Sequence, residues 1–320
     1  MSPGTDLVRS PGLVSVVIPT YKRAEKLKRC INSVLESDYT PLEVIVVDDS
    51  PTDDIPPSVN DLFPSIQIVK SGGDQLVSRC RNIGMELAKG DYVFFLDDDN
   101  VLSKDTISYL VGVLDSNDGV GVAGPIMYYL EKPATIWCAG IRRNSIACVS
   151  SFVLNGQSPN GKLPLLMKTE DLPNAFMVRK DVLAKCGPFD SSTFPIHYEE
   201  ADFCYRVRSR GYEVSVVTSA KTWHDIPLER RLSSTLRPFS RTNASTRLYF
   251  TARNKIIFHR KWYGLARNML FLIFFMPGLF AMECTKALSS PPNRKENLVA
   301  LVTGTLDGIK GSSRLRLQEP

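Results

Sequence analysis

Four apolar residues, Val93, Phe94, Phe95 and Leu96, run directly into Asp97, Asp98, Asp99 and Asn100. A run that is apolar at every position suits a strand covered on both faces, as in a parallel sheet between layers of helices. Ligands of open α/β sheets bind where such strands end, so the three acids are expected at the mouth of a site. Adjacent carboxylates repel one another unless a cation or a hydrogen-bond network compensates them, and hard oxygen ligands suit Mg²⁺ or Mn²⁺.

Apolar, β-branched runs recur at residues 14–18, 44–47, 66–69, 92–96 and 120–123, with helix-like stretches between them at 24–35, 75–88 and 106–114. This alternation predicts βαβ units and an α/β fold built on a mostly parallel sheet. At 320 residues and 43% hydrophobic composition, the chain has enough apolar material for one large domain and a smaller appendage. Between residues 128 and 173 the pattern loosens around Gly140, Asn155-Gly156 and Pro159-Asn160-Gly161. That composition predicts strands and loops laid over one face of the sheet, where substrate is chosen. A strand at 175–178, a helix at 181–185, a turn at 186–190, a helix from near Tyr198 and a strand at 213–217 leading to Trp223 and His224 follow.

The seven cysteines, at 30, 80, 138, 148, 186, 204 and 284, form no C-x-x-C pair, which argues against a zinc ribbon or a disulfide framework and for reduced thiols. Residues 1–12 are polar and the apolar run 13–18 is too short for a signal peptide, so a cytoplasmic location is expected.

Three constellations could carry chemistry. Pro19, Thr20 and Tyr21 close the first strand, and Asp48, Asp49 and Ser50 close the second, at the same sheet edge as Asp97, Asp98 and Asp99. A carboxylate such as Asp49 can accept from a nucleobase N–H, although an Asp-Asp-Ser-Pro run also caps a strand and starts a turn. The second constellation is Glu199-Glu200-Ala201-Asp202 with Arg206. Acids in a first turn suit the helix dipole, and Asp202 with Arg206 reads as a surface i,i+4 pair, while Glu199 or Glu200 facing the cleft could act as a general base. The third is His224, which ordinarily reads as a hydrogen-bonded structural residue but suits an open Mg²⁺ or Mn²⁺ site. Arg79 and Arg81 could approach a diphosphate or be solvated.

These residues, in this order, resemble the inverting glycosyltransferases of family two, with the GT-A fold. The resemblance rests on residues 16–21, 46–50, Arg81-Asn82-Ile83-Gly84, 90–99, Gly187-Pro188-Phe189-Asp190, 199–206 and Gly211-Tyr212, and it covers residues 13–224. It departs at Lys22, where many members carry Asn, and at Glu200, where many carry Asp. The resemblance implies a nucleotide-sugar donor, with Asp49 on the base and Asp97 and Asp99 at the metal and diphosphate. Pro19, Thr20, Tyr21, Arg79, Arg81 and Asp98 would complete the donor site. It also implies Glu200 as base, with Glu199 the alternative, and His224 as a metal ligand beside Asp97 and Asp99. The expected division is a catalytic domain at 1–227, with a nucleotide-sugar half about 13–125 and an acceptor half about 126–227, and a C-terminal region at 228–320.

Two rival readings use the same residues. The run 95–101 also resembles the nucleophile strand of haloacid-dehalogenase-like sugar phosphatases, but no Gly-Asp pair follows downstream in the right setting. A noncatalytic nucleotide-sugar-binding protein would keep the donor site without turnover.

The formal net charge is only +5, yet residues 230–282 hold no Asp or Glu and contain Arg230, Arg231, Arg237, Arg241, Arg247, Arg253, Lys255, Arg260, Lys261 and Arg267. Such a segment faces something anionic, either nucleic acid or an acidic lipid surface. Residues 245–262 wind as a helix with Leu248, Tyr249, Ala252, Ile256 and Trp262 on one side and basic residues on the other. The apolar stretch 269–282, broken by Pro277-Gly278, would span about 21 Å as a helix, short of the roughly 30 Å hydrocarbon core. Arg253-Asn254 and Gly304-Thr305-Leu306-Asp307-Gly308 resemble the subset acting on polyprenyl-linked glycans, including rhamnosyltransferase-like proteins. The expectation is a peripheral protein on the cytoplasmic membrane face with a glycan or polyprenyl-linked acceptor and no nucleic-acid partner. A homo-oligomer that buries 269–282 is the competing account.

Overall fold

The computed structural model describes residues 11–51, 63, 65–73, 76–159, 161–226, 244–289 and 293–312. Gln75, Asn160, Arg230, Arg231, Arg237, Arg241 and the expected domain boundary at 227 lie outside these. In chain order the strands are β1 (Val14–Thr20), β2 (Leu42–Asp48), β3 (Gln67–Lys70), β4 (Tyr92–Leu96), β5 (Asn100–Leu102), β6 (Val120–Tyr129), β7 (Ile136–Cys138), β8 (Ile141–Asn144), β9 (Val149–Phe152), β10 (Leu166–Lys168), β11 (Ala175–Arg179) and β12 (Glu213–His224). The helices are α1 (Ala24–Leu35), α2 (Leu76–Leu87), α3 (Thr106–Ser116), α4 (Lys180–Cys186), α5 (Glu199–Ser209), α6 (Ala244–Leu270), α7 (Met276–Leu288) and α8 (Arg294–Lys310), with a π-helical turn at Phe271–Phe275 between α6 and α7.

One sheet runs β10-β12-β6-β11-β4-β1-β2-β3, with β5 on β12 and β7 on β6. β1 lies parallel between β2 and β4, and β6 and β12 are parallel, while β11 is antiparallel between β4 and β6. Because successive strand residues point to opposite faces, Val16, Ile18, Phe94 and Leu96 pack on α1 and α3. Val17 and Phe95 pack on the other face with Phe176, Phe189 and Phe203 beneath α4 and α5. The apolar runs at 14–18, 44–47, 92–96 and 120–123 are buried on both faces for this reason, while the apolar residues of the run at 66–69, at the edge strand β3, are half-buried.

The hairpin β8–β9 forms a separate two-stranded sheet within the 128–173 insertion. β12 extends well past the expected 217 and reaches His224 through a register shift between Val217 and Lys221. Such an irregularity re-aims the strand end.

The C-terminal region departs most from expectation. Leu248, Tyr249, Ala252 and Ile256 are buried and Trp262 half-buried, and Arg247, Arg260 and Arg267 are exposed as an amphipathic helix requires, but two of the basic residues are engaged by the protein. Arg253 is 4% exposed, and Lys261 pairs with Asp190 and Asp202, because carbonyls and carboxylates of the preceding fold lie against this helix. The helix breaks at Gly264 (φ 80°), not at Pro277-Gly278. Proline removes a backbone donor and its ring clashes with the preceding turn, and here the π turn at Phe271–Phe275 takes up that mismatch just before Pro277 opens α7. The helical run past Gly264 therefore continues to Leu288, longer than the expected 269–282, and is long and apolar enough to cross a membrane by length and composition.

Phe271 and Met276 seat one side of this run against Ile256 and Cys148, while Leu265, Ile273 and Phe274 are 69%, 58% and 69% exposed. α8 lies close on α6: a Cβ at Gly304 would stand 2.3 Å from the carbonyl oxygen of Tyr249, and one at Gly308 2.8 Å from that of Arg253. Small residues four apart permit this backbone approach. Tyr249 also donates to Asp307 (2.8 Å) across the same contact.

Candidate active site

The ends of β1, β2 and β4 lie side by side, with Thr20 in register with Asp48 and the Asp49 amide donating to the Thr20 carbonyl (2.9 Å). Asp48 is buried and paired with Lys70 (2.6 Å), a residue the sequence reading did not single out. Asp49 is buried, accepting from the Ser71 hydroxyl and from the Leu76 amide (2.9 Å). Pro19 is buried in β1 opposite Val47, and Tyr21 is half-buried just beyond the strand.

The three consecutive acids after β4 point three ways. Asp98 is turned inward, fully buried, accepting from Thr20 Oγ1 (2.7 Å) and pairing with Arg23 (2.7 Å). Burial pushes its carboxyl up to about 7 against the pull of Arg23. Asp98 and the Thr20 side chain, expected at the donor, brace the two strand ends through their hydrogen bond, the turn after β4 directing the middle acid inward. Asp97 leans to Arg81 (2.8 Å). Asp99 leans the opposite way, to Arg23 (3.0 Å) and to His224 Nε2, 3.3 Å from its Oδ1. Burial would raise the Asp99 carboxyl, but the His224 hydrogen bond and charge, helped by Arg23 and Lys26, hold it at about 2.

Arg23 is thus a cleft residue that sequence reasoning missed. Lys22 adopts φ 54° with its amide on Ser50 Oγ (2.9 Å), and this left-handed residue turns the chain so that Arg23 comes back over Asp98 and Asp99. Asn tolerates that conformation better than Lys does, which gives a physical reason for Asn at the equivalent position in the members the chain resembles.

The glutamate side is organised by Arg81. It is 1% exposed on α2 and donates to Glu200 (2.7 Å), Asp97 (2.8 Å) and Glu199 (3.2 Å), over the rings of Phe176 and Phe189. Arg79, two residues away on the helix, is exposed on a different side of α2 and does not join Arg81, since positions i and i+2 do not share a face. Asn174 links the two clusters: its amide N–H donates to Glu200 (2.9 Å) and its side-chain Nδ2 lies 3.1 Å from His224 Nε2. Asn174 has φ 60°, and Asn after Pro173 is a turn signal that could have marked it. Glu199 is the more enclosed glutamate, its side chain 6% exposed against 19% for Glu200. Burial raises both carboxyls, opposed by Arg81, with Glu200 reaching about 8 and also raised by the charge of Glu199.

Asp202, expected in a surface pair with Arg206, is instead fully buried. It is held by Arg206 (3.1 Å), Lys261 (2.7 Å) and Trp262 Nε1 (2.9 Å). Spacing places two residues on one helix face but does not say what covers that face, and here α6 does.

Asp99 Oδ1 and His224 Nε2 suit a hard divalent ion. Two adjacent ligands of an octahedral Mg²⁺ at about 2.1 Å stand roughly 3.0 Å apart, close to the 3.3 Å between these atoms. Among the described residues no group of three His, Cys, Asp or Glu side chains is assembled to hold a metal. Asp97, expected as a third ligand, is turned toward Arg81. A site with two protein ligands leaves its other positions to substrate oxygens and water, which is how Mg²⁺ is commonly bound.

Residues 15–185 match the model of Glycosyl transferase family 2, and the chain belongs to that family. It is similar to glycosyltransferase GlyG of Streptococcus pneumoniae, 26% identical over 39% of this chain and 42% of that protein. It is also similar to the glucosyl-dolichyl phosphate glucuronosyltransferase of Haloferax volcanii, 23% identical over 82% of this chain and 78% of that protein. The chain spans less than half the length of GlyG. The solved mannosyltransferase PcManGT from Pyrobaculum calidifontis, in complex with GDP-Man and Mn²⁺, shares the fold at a TM-score of 0.53 and 15% identity, covering 95% of this chain and 89% of that one. The GT-A-like fold and family membership set aside the phosphatase reading.

Proposed function

We propose that this protein is an inverting glycosyltransferase that moves a sugar from a nucleoside-diphosphate sugar to a hydroxyl of a glycan or lipid-linked acceptor, with Mg²⁺ or Mn²⁺. The observation that carries the reading is the pairing, across one strand-end cleft, of Asp99 and His224 on one side with the Arg81-bound glutamates on the other. Asp49 would receive the base N–H, with Pro19 and Tyr21 beside it. Glu200 is the base: both of its hydrogen bonds engage Oε1, leaving Oε2 to take the acceptor's proton. The freed oxygen attacks the anomeric carbon as the bond to the diphosphate breaks on the opposite face, which inverts that centre. A divalent cation held by Asp99 and His224 would supply charge neutralisation to the departing diphosphate.

The exposed apolar face of the run beyond Gly264 supports a peripheral membrane location. One side of that helix is seated on protein, so the other is suited to shallow insertion, and the acid-free basic segment adds attraction to anionic headgroups. A relative named for a dolichyl phosphate substrate aligns with 82% of this chain.

A donor screen tests the function. Nucleoside diphosphate release is measured for UDP-sugars and GDP-mannose with Mn²⁺ and membrane lipid extract, in both the presence and absence of chelator. Metal-dependent release from one donor class is expected; release of inorganic phosphate from sugar phosphates instead would overturn the reading.

A further inference from the structure

Arg253 and Asn254 lie on α6, well over forty residues after the helix that carries Glu200, yet they grip the loop that starts that helix. Asn254 is fully buried, and its Nδ2 donates to the carbonyls of Ile196 (2.8 Å) and His197 (3.0 Å). Arg253 donates to the carbonyl of Thr193 (2.7 Å), to that of Ser312 (2.8 Å) and to Asn254 Oδ1 (2.6 Å), which orients the amide. The gripped residues are unusual: His197 and Tyr198 have φ 60° and 71°, two successive non-glycine residues in the left-handed region. Glu199 and Glu200 follow at once.

The carbonyls of residues 196 and 197 belong to the peptide planes on either side of the His197 Cα. One amide bonded to both planes therefore fixes φ and ψ of His197. Side chains with a Cβ resist this conformation, and such strain persists only where surrounding structure imposes it. We propose that the Arg253–Asn254 pair is a positioning device for glycosyl transfer, locking the left-handed turn at 197–198 so that α5 begins with Glu200 against Arg81. Neither residue touches the cleft's acids; they act through the turn. This inference rests on Glu200 being the base.

Asn254→Ala and Asn254→Asp both remove the two donated bonds. The expected result is a fall of tenfold or more in turnover with the donor found by the screen, while UDP or GDP binding with Mn²⁺, measured by calorimetry, changes less than twofold. Glycine adopts the left-handed region freely, so His197→Gly added to Asn254→Ala should restore part of the loss relative to His197→Gly alone. Hydrogen exchange reads the turn without any donor: amides of 198–203 should lose protection in Asn254→Ala while those of β1 and β4 keep theirs. Unchanged exchange at 198–203 would overturn the device even if the enzyme proved to have another activity. Equal losses of turnover and nucleotide affinity, or no rescue by glycine, would reduce the pair to general support of the fold. A native protein that releases no nucleoside diphosphate from any donor counts against the proposed function, and the exchange result still decides the clamp.

Discussion

On one side of the cleft Asp48 closes β2 and Asp49 follows it, while Asp97 and Asp99 come just after β4, at the ends of strands packed on both faces. On the other side Glu199 and Glu200 follow a loop and two left-handed residues held from α6, a helix distant in sequence. Side chains at the ends of packed strands inherit the rigidity of the sheet, whereas the glutamates depend on long-range contacts for their direction. The strand-end side should therefore tolerate changes in the C-terminal region, and the glutamate side should not.

The largest effect should come from the glutamate side. Glu200→Gln keeps the shape and loses the proton acceptor, so turnover should fall by about 10²–10⁴-fold, the usual contribution of a general base. Binding of UDP or GDP should change little, because the strand-end acids are untouched. A variant with near-native turnover would move the role to Glu199.

On the strand-end side, Asp99→Asn should lower Mn²⁺ affinity, read directly by calorimetry, and cut turnover by about a hundredfold, as the loss of one group that stabilises developing charge commonly does. Arg23→Gln sharpens the test, since its guanidinium shares the Asp99 carboxylate and is 42% exposed. Removing a partly exposed pair of this kind frees up to about 1 kcal/mol, so Mn²⁺ should bind up to about fivefold tighter. Weaker Mn²⁺ binding in Arg23→Gln would place the ion elsewhere.

The same contrast explains what could be read from the chain. Val14 to Ile18 and the 92–96 run are local patterns, and the acids that follow them come to one edge because parallel strands end together. Asn174 carried a turn signal after Pro173 but its partners did not show, and Arg23 and the Arg253–Asn254 grip were not legible, because each depends on a positive φ or on a contact between distant segments. Asp202 was misread for a related reason: periodicity showed its neighbour Arg206 but not Lys261 and Trp262 on the covering helix. The apolar stretch near Pro277 was read as broken because a π turn, which lets a helix continue, leaves no clear mark in sequence.

The membrane-facing reading separates the C-terminal run from both sides of the cleft. Ile273→Asp with Phe274→Asp should reduce sedimentation with anionic vesicles tenfold or more, since each buried apolar side chain of this size contributes about 2 kcal/mol. UDP or GDP binding should stay as it is, because these side chains point away from the protein at 58% and 69% exposure. Unchanged sedimentation would leave that face for another occupant, such as a second copy of the chain.

The smallest expected effect discriminates the two glutamates most finely. Burial is the main cause lifting the Glu200 carboxyl to about 8; Arg81 opposes it, and the charges of Glu199 and Asp97 lift it further. A base must be ionised to accept a proton, so turnover should fall as pH drops through this value, and the acid limb should lie well above the ordinary glutamate range of about 4.3. Glu199→Gln removes one negative neighbour and leaves Arg81 more fully to Glu200, and both changes favour the ionised form. The limb should therefore move to lower pH, while plateau turnover falls by less than the about 10²-fold loss that marks a general base. Profiles of kcat against pH for the native enzyme, Glu199→Gln and Asp97→Asn check this, the last read at saturating metal. A limb that stays in place in Glu199→Gln would mean that Arg81 screens the two carboxylates from each other. A plateau loss of about 10²-fold or more in Glu199→Gln would mean that Glu199, not Glu200, carries the proton.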